Sequence, residues 1–295
     1  MIASIPSPST SVIDLGPVVI HMYGLMLLLA IAACVALTGI RWTRLGGDWD
    51  LVLRVAVWGV AAGIVGARLY HVLTSWSEVP HTWWGPFAVW KGGLGVWGGI
   101  LFGCLAGAYV VYRSGESVFL FMDAIAPGLL VAQGIGRWGN YFNQELFGKP
   151  TDLPWALEID PAHRPVGYEL DSTFHPTFLY EFAWDLLAAG ALILIGWRWR
   201  IKPPGLFALY VSFYTAFRMY EETLRIDPAH RFLGERLNFW VSLVLFVVSL
   251  GFFVYWQFLR GDKDEPRRAR RGRPVPAAEG PSMAIPKSRR VRPRR

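Results

Sequence analysis

Seven stretches of this chain are too long and too apolar to be stable in water. A run of about 20 apolar residues is enough to cross the hydrocarbon core of a bilayer as a helix. Candidate spans read at Val18–Ile40, Leu51–Leu73, Gly93–Tyr112, Val118–Ile135, Pro176–Trp197, Gly205–Tyr220 and Leu237–Leu259. Within lipid a lone segment satisfies its backbone groups only as a helix. The expected fold is therefore an all-α integral membrane protein with seven transmembrane helices. Composition agrees, since 17% of the residues are charged against about 25% in soluble domains. The first stretch reads as a span and not a signal peptide, because no Lys or Arg precedes it before Arg41 and it exceeds an h-region in length.

Basic loop residues set the expected orientation. Arg41 and Arg44 follow span 1, Arg113 follows span 3, and Arg198, Arg200 and Lys202 follow span 5, all on one side of a seven-span chain. The expectation is a multi-pass membrane protein, with the N-terminus outside and the C-terminus cytoplasmic. The division expected is a seven-span transmembrane domain over residues 1–260, including an outer head region at about 137–175, and a disordered basic tail over 261–295. Arg260–Arg295 carries 13 basic and 4 acidic residues, while the other 259 hold 16 and 18. That split reads as an attraction of the tail to anionic inner-leaflet lipids, worth about 1 kcal/mol per basic residue. It argues against a nucleic-acid-binding domain spread over the chain. The two cysteines, Cys34 and Cys104, lie inside spans, which excludes a disulfide scaffold.

Several motifs stand out against this apolar background. Gly95, Gly99, Gly103 and Gly107 form a stripe on span 3 that lets a neighbouring helix approach closely. For Gly92 and Gly93, a backbone surface close to a ligand reads as well as packing does. An ionisable group at membrane depth costs at least about 2.5 kcal/mol, so it usually faces a partner or a wet cavity. Arg68, Asp123, Arg137, Glu181, Asp185, Arg218, Glu221 and Glu222 are such groups, and Arg54 reads as snorkelling to the interface. Tyr214, Arg218, Glu222 and Arg225 share one helical stripe. It reads either as a structural ion-pair ladder or as positive charge facing inward. The stretch Gly134–Gly148 offers Arg137, Asn140, Asn143 and Glu145 among four glycines and reads as a loop. A guanidinium suits phosphate, amides suit hydroxyls, and glycines let backbone N–H groups reach an anion. His175 is expected at the cap of span 5, with Pro176 as its first helical residue. His21 and Tyr23 fall in the same layer at the end of span 1. No spacing resembles a metal site, and no nucleotide-binding fingerprint, P-loop or nucleophile elbow is present, so no cofactor is expected.

Taken together, these motifs resemble one family. Gly136-Arg-Trp-Gly-Asn-Tyr-Phe-Asn-Gln-Glu-x-x-Gly148 is similar to the signature of the bacterial prolipoprotein diacylglyceryl transferases. Four companions follow in the family's order: His21-Met-Tyr23-Gly, Trp90-Lys-Gly92-Gly93, His175-Pro-x-x-Leu-Tyr180-Glu181, and Tyr214-x3-Arg218-x3-Glu222-x2-Arg225. The resemblance covers residues 15–260. It implies a transferase of lipoprotein biosynthesis that moves the diacylglyceryl group of phosphatidylglycerol onto the lipobox cysteine of prolipoprotein signal peptides, forming a thioether and releasing glycerol phosphate. A monomer is expected.

By the family pattern, Arg137, Tyr214, Arg218 and His175 are catalytic. Arg137 with Asn140, Asn143, Glu145, Gly148, Tyr23, Gly92 and Gly93 holds phosphatidylglycerol. His21, Arg68, Trp97, Tyr180, Glu181, Glu222 and Arg225 support them. Where several members carry a histidine before the paired glycines of span 3, this chain has Trp97-Gly98-Gly99. Tryptophan accepts no proton, so a base is not carried over to that position. His175, Tyr214 and Glu145 remain as proton acceptors. Positive charge from Arg137 and Arg218 is expected to favour the substrate thiolate. A lipid transporter is the rival class, but the internal repeat it would predict is not seen in the sequence.

Overall fold

The computed structural model describes residues 4–16 and 19–260. The expected tail at 261–295 and the expected first residue of span 1, Val18, lie outside the described residues. Among the described residues seven long helices follow one another: α1 (Met22–Arg44), α2 (Trp49–Thr74), α3 (Val96–Arg113), α4 (Val118–Asn143), α5 (Thr177–Arg198), α6 (Gly205–Leu224) and α7 (Leu237–Val254), the last running into a π-helical turn at Tyr255–Leu259. All but α6 are long and apolar enough to cross a membrane. α6 falls short because Arg218, Glu221 and Glu222 occupy its last two turns.

Short polar signals fix the helix limits at one end of the bundle. The α1–α2 and α3–α4 connections each place a glycine at positive φ, Gly46 at 87° and Gly115 at 74°. Each then supplies an N-cap side chain: Asp48 accepts from the Asp50 amide, and Ser117 from that of Leu120. Asp123 performs a related task across helices, its carboxylate accepting from the Phe207 amide (2.9 Å) at the start of α6.

Limits at the other end depart from expectation. α1 begins at Met22 because Val19–His21 (β2) pairs antiparallel with Val12–Asp14 (β1). α3 begins at Val96, since Gly92 and Gly93 sit at φ of 84° and 73°. α5 begins at Thr177 with Pro176 as the cap, so His175 stands one residue before the cap. The largest difference is α4, which continues through the expected loop to Asn143. The expected head region thus loses its first residues to a helix. What remains carries the two-stranded ribbon β3 (Leu157–Glu158) and β4 (Thr173–Phe174), with a cluster of Phe147, Leu157, Ile159, Phe174 and Phe178 to which Ile5 adds.

Two interior clusters hold the helices together. Trp42, Leu51, Val52, Val55, Val111, Phe121 and Ala124 tie α1 to α4 at one end. Ala126, Leu130, Ala188, Ala189, Leu192, Leu206 and Leu209 join α4, α5 and α6. α2 and α3 pack through glycine on both sides. A Cβ on Gly98 would stand 2.2 Å from the Gly66 carbonyl oxygen, and one on Gly103 would stand 3.1 Å from that of Gly59. The stripe read on α3 therefore meets a second one on α2, at Gly59, Gly63 and Gly66. Exposed tryptophans collect at both ends: Trp76, Trp83, Trp90 and Trp97 where α2 meets α3, and Trp49, Trp197 and Trp199 at the opposite end.

Candidate active site

The last two turns of α4 carry the signature residues as a helix. Arg137 and Asn140 lie three residues apart on one face, with the guanidinium 3.4 Å from the Asn140 amide oxygen. Gln144 closes the helix in the left-handed region at φ 50°, and the chain returns so that the Glu145 amide donates to the Asn140 carbonyl at 3.0 Å. The Glu145 carboxylate then accepts from Asn140 (2.8 Å) and Asn143 (3.3 Å). Gly134 and Gly139 serve packing, Gly136 faces open space, and none of them breaks the helix. A Cβ on Gly139 would stand 2.5 Å from the Tyr23 ring, and one on Gly134 would press on Phe182 and Asp185. Gly148 lies where three segments meet: its amide donates to the His175 carbonyl at 2.9 Å, and it bridges Arg225.

Four arginines from four places in the chain interlock here with carboxylates. Arg137 reaches Glu181 on α5 at 2.8 and 2.7 Å. Arg218 bonds Glu221 and Glu222 on its own helix and stands 3.9 Å from Glu181. Arg236 reaches Glu222 at 2.5 Å and Asp227 at 2.8 Å, and Arg225 reaches Asp227 at 2.7 Å. Arg236 is placed by the tight ribbon β5 (Arg231–Phe232) and β6 (Glu235–Arg236), turned at Leu233-Gly234 with φ of 49° and 87°. The expected excess of positive charge is therefore absent. Four guanidiniums meet Glu181, Glu221, Glu222 and Asp227, because an arginine buried without a partner costs more than a helix bundle can bear.

The stripe on α6 holds in part. Tyr214 lies a turn deeper than Arg218, against the Leu130–Leu209 cluster. α6 ends at Leu224, so Arg225 leaves the stripe and takes extended backbone at φ −66°, ψ 142°. Asp185, one turn below Glu181, is fully buried, and neither of its oxygens has a hydrogen-bond partner among the described residues.

Asp227 lies outside the helices. Burial would raise its pKa, but the hydrogen bonds and charges of Arg225 and Arg236 outweigh it and hold the pKa below the ordinary aspartate value. A depressed carboxylate contributes stability that is full above its unfolded pKa, about 3.9. That contribution is lost as pH falls through the lower folded value. Asp227→Asn should thus lower the thermal midpoint in detergent at pH 7, and the gap to the unmodified protein should close below pH 4. A gap that persists undiminished at low pH would sink this account.

Other expected residues form separate groups. The Tyr180 hydroxyl lies 3.0 Å from His175 Nδ1 and accepts from the Trp155 indole N–H at 3.0 Å. An indole only donates, so the tyrosine proton is free to go to Nδ1, leaving the His175 proton on Nε2. Burial first, and then the charge of Lys149, lower the His175 pKa, in keeping with a neutral ring. The three residues line a groove of about 450 Å³ with Trp184, Phe217 and Tyr220. Arg68 is gripped by four carbonyls, those of Gly85 (2.7 Å), Pro86 (2.9 Å), Gly92 (2.7 Å) and Gly93 (3.0 Å). The backbone of Gly92 and Gly93 is thereby turned toward an arginine. His21 caps α1 without a side-chain hydrogen bond, Tyr23 is exposed beside Gly139, and Trp97 is exposed on the first turn of α3. Arg236 and Asp227 were legible only as loop charges; their signal was an Arg directly before the last apolar run.

Residues 10–255 match the sequence profile of the family described as prolipoprotein diacylglyceryl transferase. Among similar proteins is the phosphatidylglycerol–prolipoprotein diacylglyceryl transferase of Bifidobacterium adolescentis, 42% identical over 87% of this chain and 81% of the relative. That of Cutibacterium acnes is 45% identical over 89% and 90%. The second such transferase of Streptomyces coelicolor is 44% identical over 86% and 81%.

Proposed function

The chain belongs to the prolipoprotein diacylglyceryl transferase family, and from that premise we propose how its residues divide the work. It is a multi-pass membrane transferase of lipoprotein maturation. It moves the diacylglyceryl group of phosphatidylglycerol to the lipobox cysteine thiol of a prolipoprotein, leaving a thioether and releasing glycerol phosphate.

The observation that carries the division is the convergence of Arg137 and Arg218, from α4 and α6, on the single carboxylate of Glu181. Two forks aimed at one anionic group are also spaced for the phosphate of the lipid. Their side chains are the most open of the four arginines, 17% and 13% exposed against 7% for Arg225 and 6% for Arg236. In the proposed reaction, Arg137 and Arg218 hold the phosphate and stabilise its charge as it departs. Asn140 and Asn143, aligned by Glu145, take the headgroup hydroxyls, and Gly148 fixes the turn behind them. The sulfur attacks the glycerol carbon that bears the phosphate, and that carbon–oxygen bond breaks. Tyr214 walls the deep side, His175 and Tyr180 flank the groove toward α6, and Tyr23 and His21 close the side toward α1. Glu222 and Arg225 brace Arg218, and Arg68 with Gly92 and Gly93 locks the loop before α3.

The membrane arrangement is also proposed. α6 spans as a seventh helix because its charges are paired inside the bundle. Arg41, Arg44, Arg113 and Arg198 collect at the end away from the site, which supports an outward-facing site in a bacterial inner membrane, the N-terminus outside and the C-terminus cytoplasmic. On this reading residues 1–260 are the catalytic domain of a monomer, residues 144–176 its outer head, and the basic tail rests on anionic inner-leaflet lipids.

Incubating the purified protein with phosphatidylglycerol and a lipobox peptide should give a diacylglyceryl mass shift on the cysteine. Movement of lipid without covalent change would favour the transporter. Trp97→Phe should keep at least a third of the transfer rate, because an exposed interfacial ring moves no proton. A loss of tenfold or more would place Trp97 in the chemistry.

A further inference from the structure

The transfer needs somewhere for the thiol proton to go, and the way the acids are paired singles one out. Glu222 is held by Arg218, Arg236 and Asn238, and Glu221 keeps Arg218. Glu145 already accepts from two amides. Glu181 differs from all of these. It is as deeply buried as Glu221 and Glu222, but its one close cation is Arg137, with Arg218 at 3.9 Å. The groups that face it are Arg137 from α4, Arg218, Glu221 and Tyr214 from α6, and Asp185 on its own helix. Arg137 in turn has Glu181 as its one close acid, Glu221 standing at 4.0 Å.

We infer that Glu181 is the general base of the transfer, and that phosphate binding switches it on by taking Arg137 away from it. This deepens the reading above and rests on the phosphate lying at Arg137. The exchange leaves a buried carboxylate without its cation, next to Asp185 and Glu221. Such a group takes up a proton. The S–H bond breaks and its proton passes to a Glu181 oxygen. The thiolate sulfur bonds to the glycerol carbon of the lipid, and the electron pair of the broken carbon–oxygen bond goes to the phosphate. Glycerol phosphate leaves, with a second pKa of about 6 for a phosphate monoester. Glu181 gives up its proton to that phosphate or to water and closes on Arg137 again. The base is thus absent until the lipid is in place, which keeps an empty site from ionising thiols.

The experiment compares Glu181→Gln with the unmodified protein, using phosphatidylglycerol and a lipobox peptide in detergent. Removing a general base costs about 10²–10⁴-fold in rate, so kcat at pH 7 should fall at least about 100-fold. KM for phosphatidylglycerol should stay level or drop, because Arg137 is released. The deficit should narrow above pH 8.5, where the thiol ionises unaided at its ordinary pKa of about 8.5. A selenocysteine peptide, already ionised at neutral pH, should restore the rate. A kcat within threefold of the unmodified protein overturns the inference, as does a deficit that neither pH nor selenocysteine relieves. Should the amide variant not fold, Glu181→Asp carries the test. It should keep an unshifted pH profile, and a profile that climbs toward pH 9 overturns the assignment. Arg137→Gln separates the two ideas. A large rise in KM for phosphatidylglycerol is expected, and an unchanged KM removes the phosphate from Arg137 whatever Glu181 does.

Discussion

Replacing Arg218 by glutamine should take transfer down by at least about 100-fold, the scale of losing one donor to a developing oxyanion. It should also cost the folded protein about 3–5 kcal/mol, the usual result of breaking a buried ion pair from one side. Both effects trace to one guanidinium that bonds Glu221 and Glu222 and stands near Glu181. Glu222 keeps Arg236 when Arg218 is lost, but Glu221 is left with Arg137 at 4.0 Å. Adding Glu221→Gln should therefore restore most of the thermal stability in detergent and none of the activity. Arg218→Lys keeps charge but loses the fork, so it should recover stability in part and activity little. If the double variant regains activity together with stability, Arg218 is a brace and not a participant.

Replacing Gly98 by valine should leave little folded protein to extract from the membrane. The first side-chain carbon would lie 2.2 Å from the Gly66 carbonyl and 2.5 Å from Tyr70, both fixed parts of α2. Overpacking usually costs about 1–3 kcal/mol, and here the obstacle is backbone, which does not step aside. Gly99→Ala makes the contrast. Its added carbon meets Ala67 at 3.4 Å, ordinary contact, so yield and melting should stay near those of the unmodified protein. Equal behaviour of the two variants would mean that α2 and α3 do not pack as described.

That contrast also shows where sequence reasoning stops. A stripe at Gly95, Gly99, Gly103 and Gly107 announces a close helix partner, but the tightest glycine of α3, Gly98, lies off the stripe, since the partner's path decides which position is most crowded. Six of the helices were legible from apolar length, because backbone in lipid has no alternative to the helix, and α6 was legible in spite of Arg218, Glu221 and Glu222. The end of α4 was not: Gly-Arg-Trp-Gly-Asn is loop-like by propensity, yet it is helical, with Gly139 against Tyr23 and Gly134 against Phe182. Arg137, Arg218 and Glu222 stood out as charges in apolar runs. Glu181 stood out as well, but its pairing with Arg137 did not, and Arg236 and Asp227 read only as loop charges, because pairing between a helix, a ribbon and a loop leaves no spacing in the chain.

The exposed tryptophans at the two ends of the bundle also bear on where the chemistry happens. Indole rings prefer the boundary between headgroup and hydrocarbon, so Trp76, Trp83, Trp90 and Trp97 on one rim and Trp49, Trp197 and Trp199 on the other act as two waterlines. Arg137 and Arg218 lie toward the first, in the last two turns of α4 and α6. A bilayer thicker or thinner than the gap between these rims must deform, or the bundle must tilt. Either response moves the reacting carbon relative to guanidiniums that are fixed to helices. The enzyme is thus matched to the thickness of its membrane as well as to its substrates, and turnover in vesicles of graded acyl length should peak at one thickness.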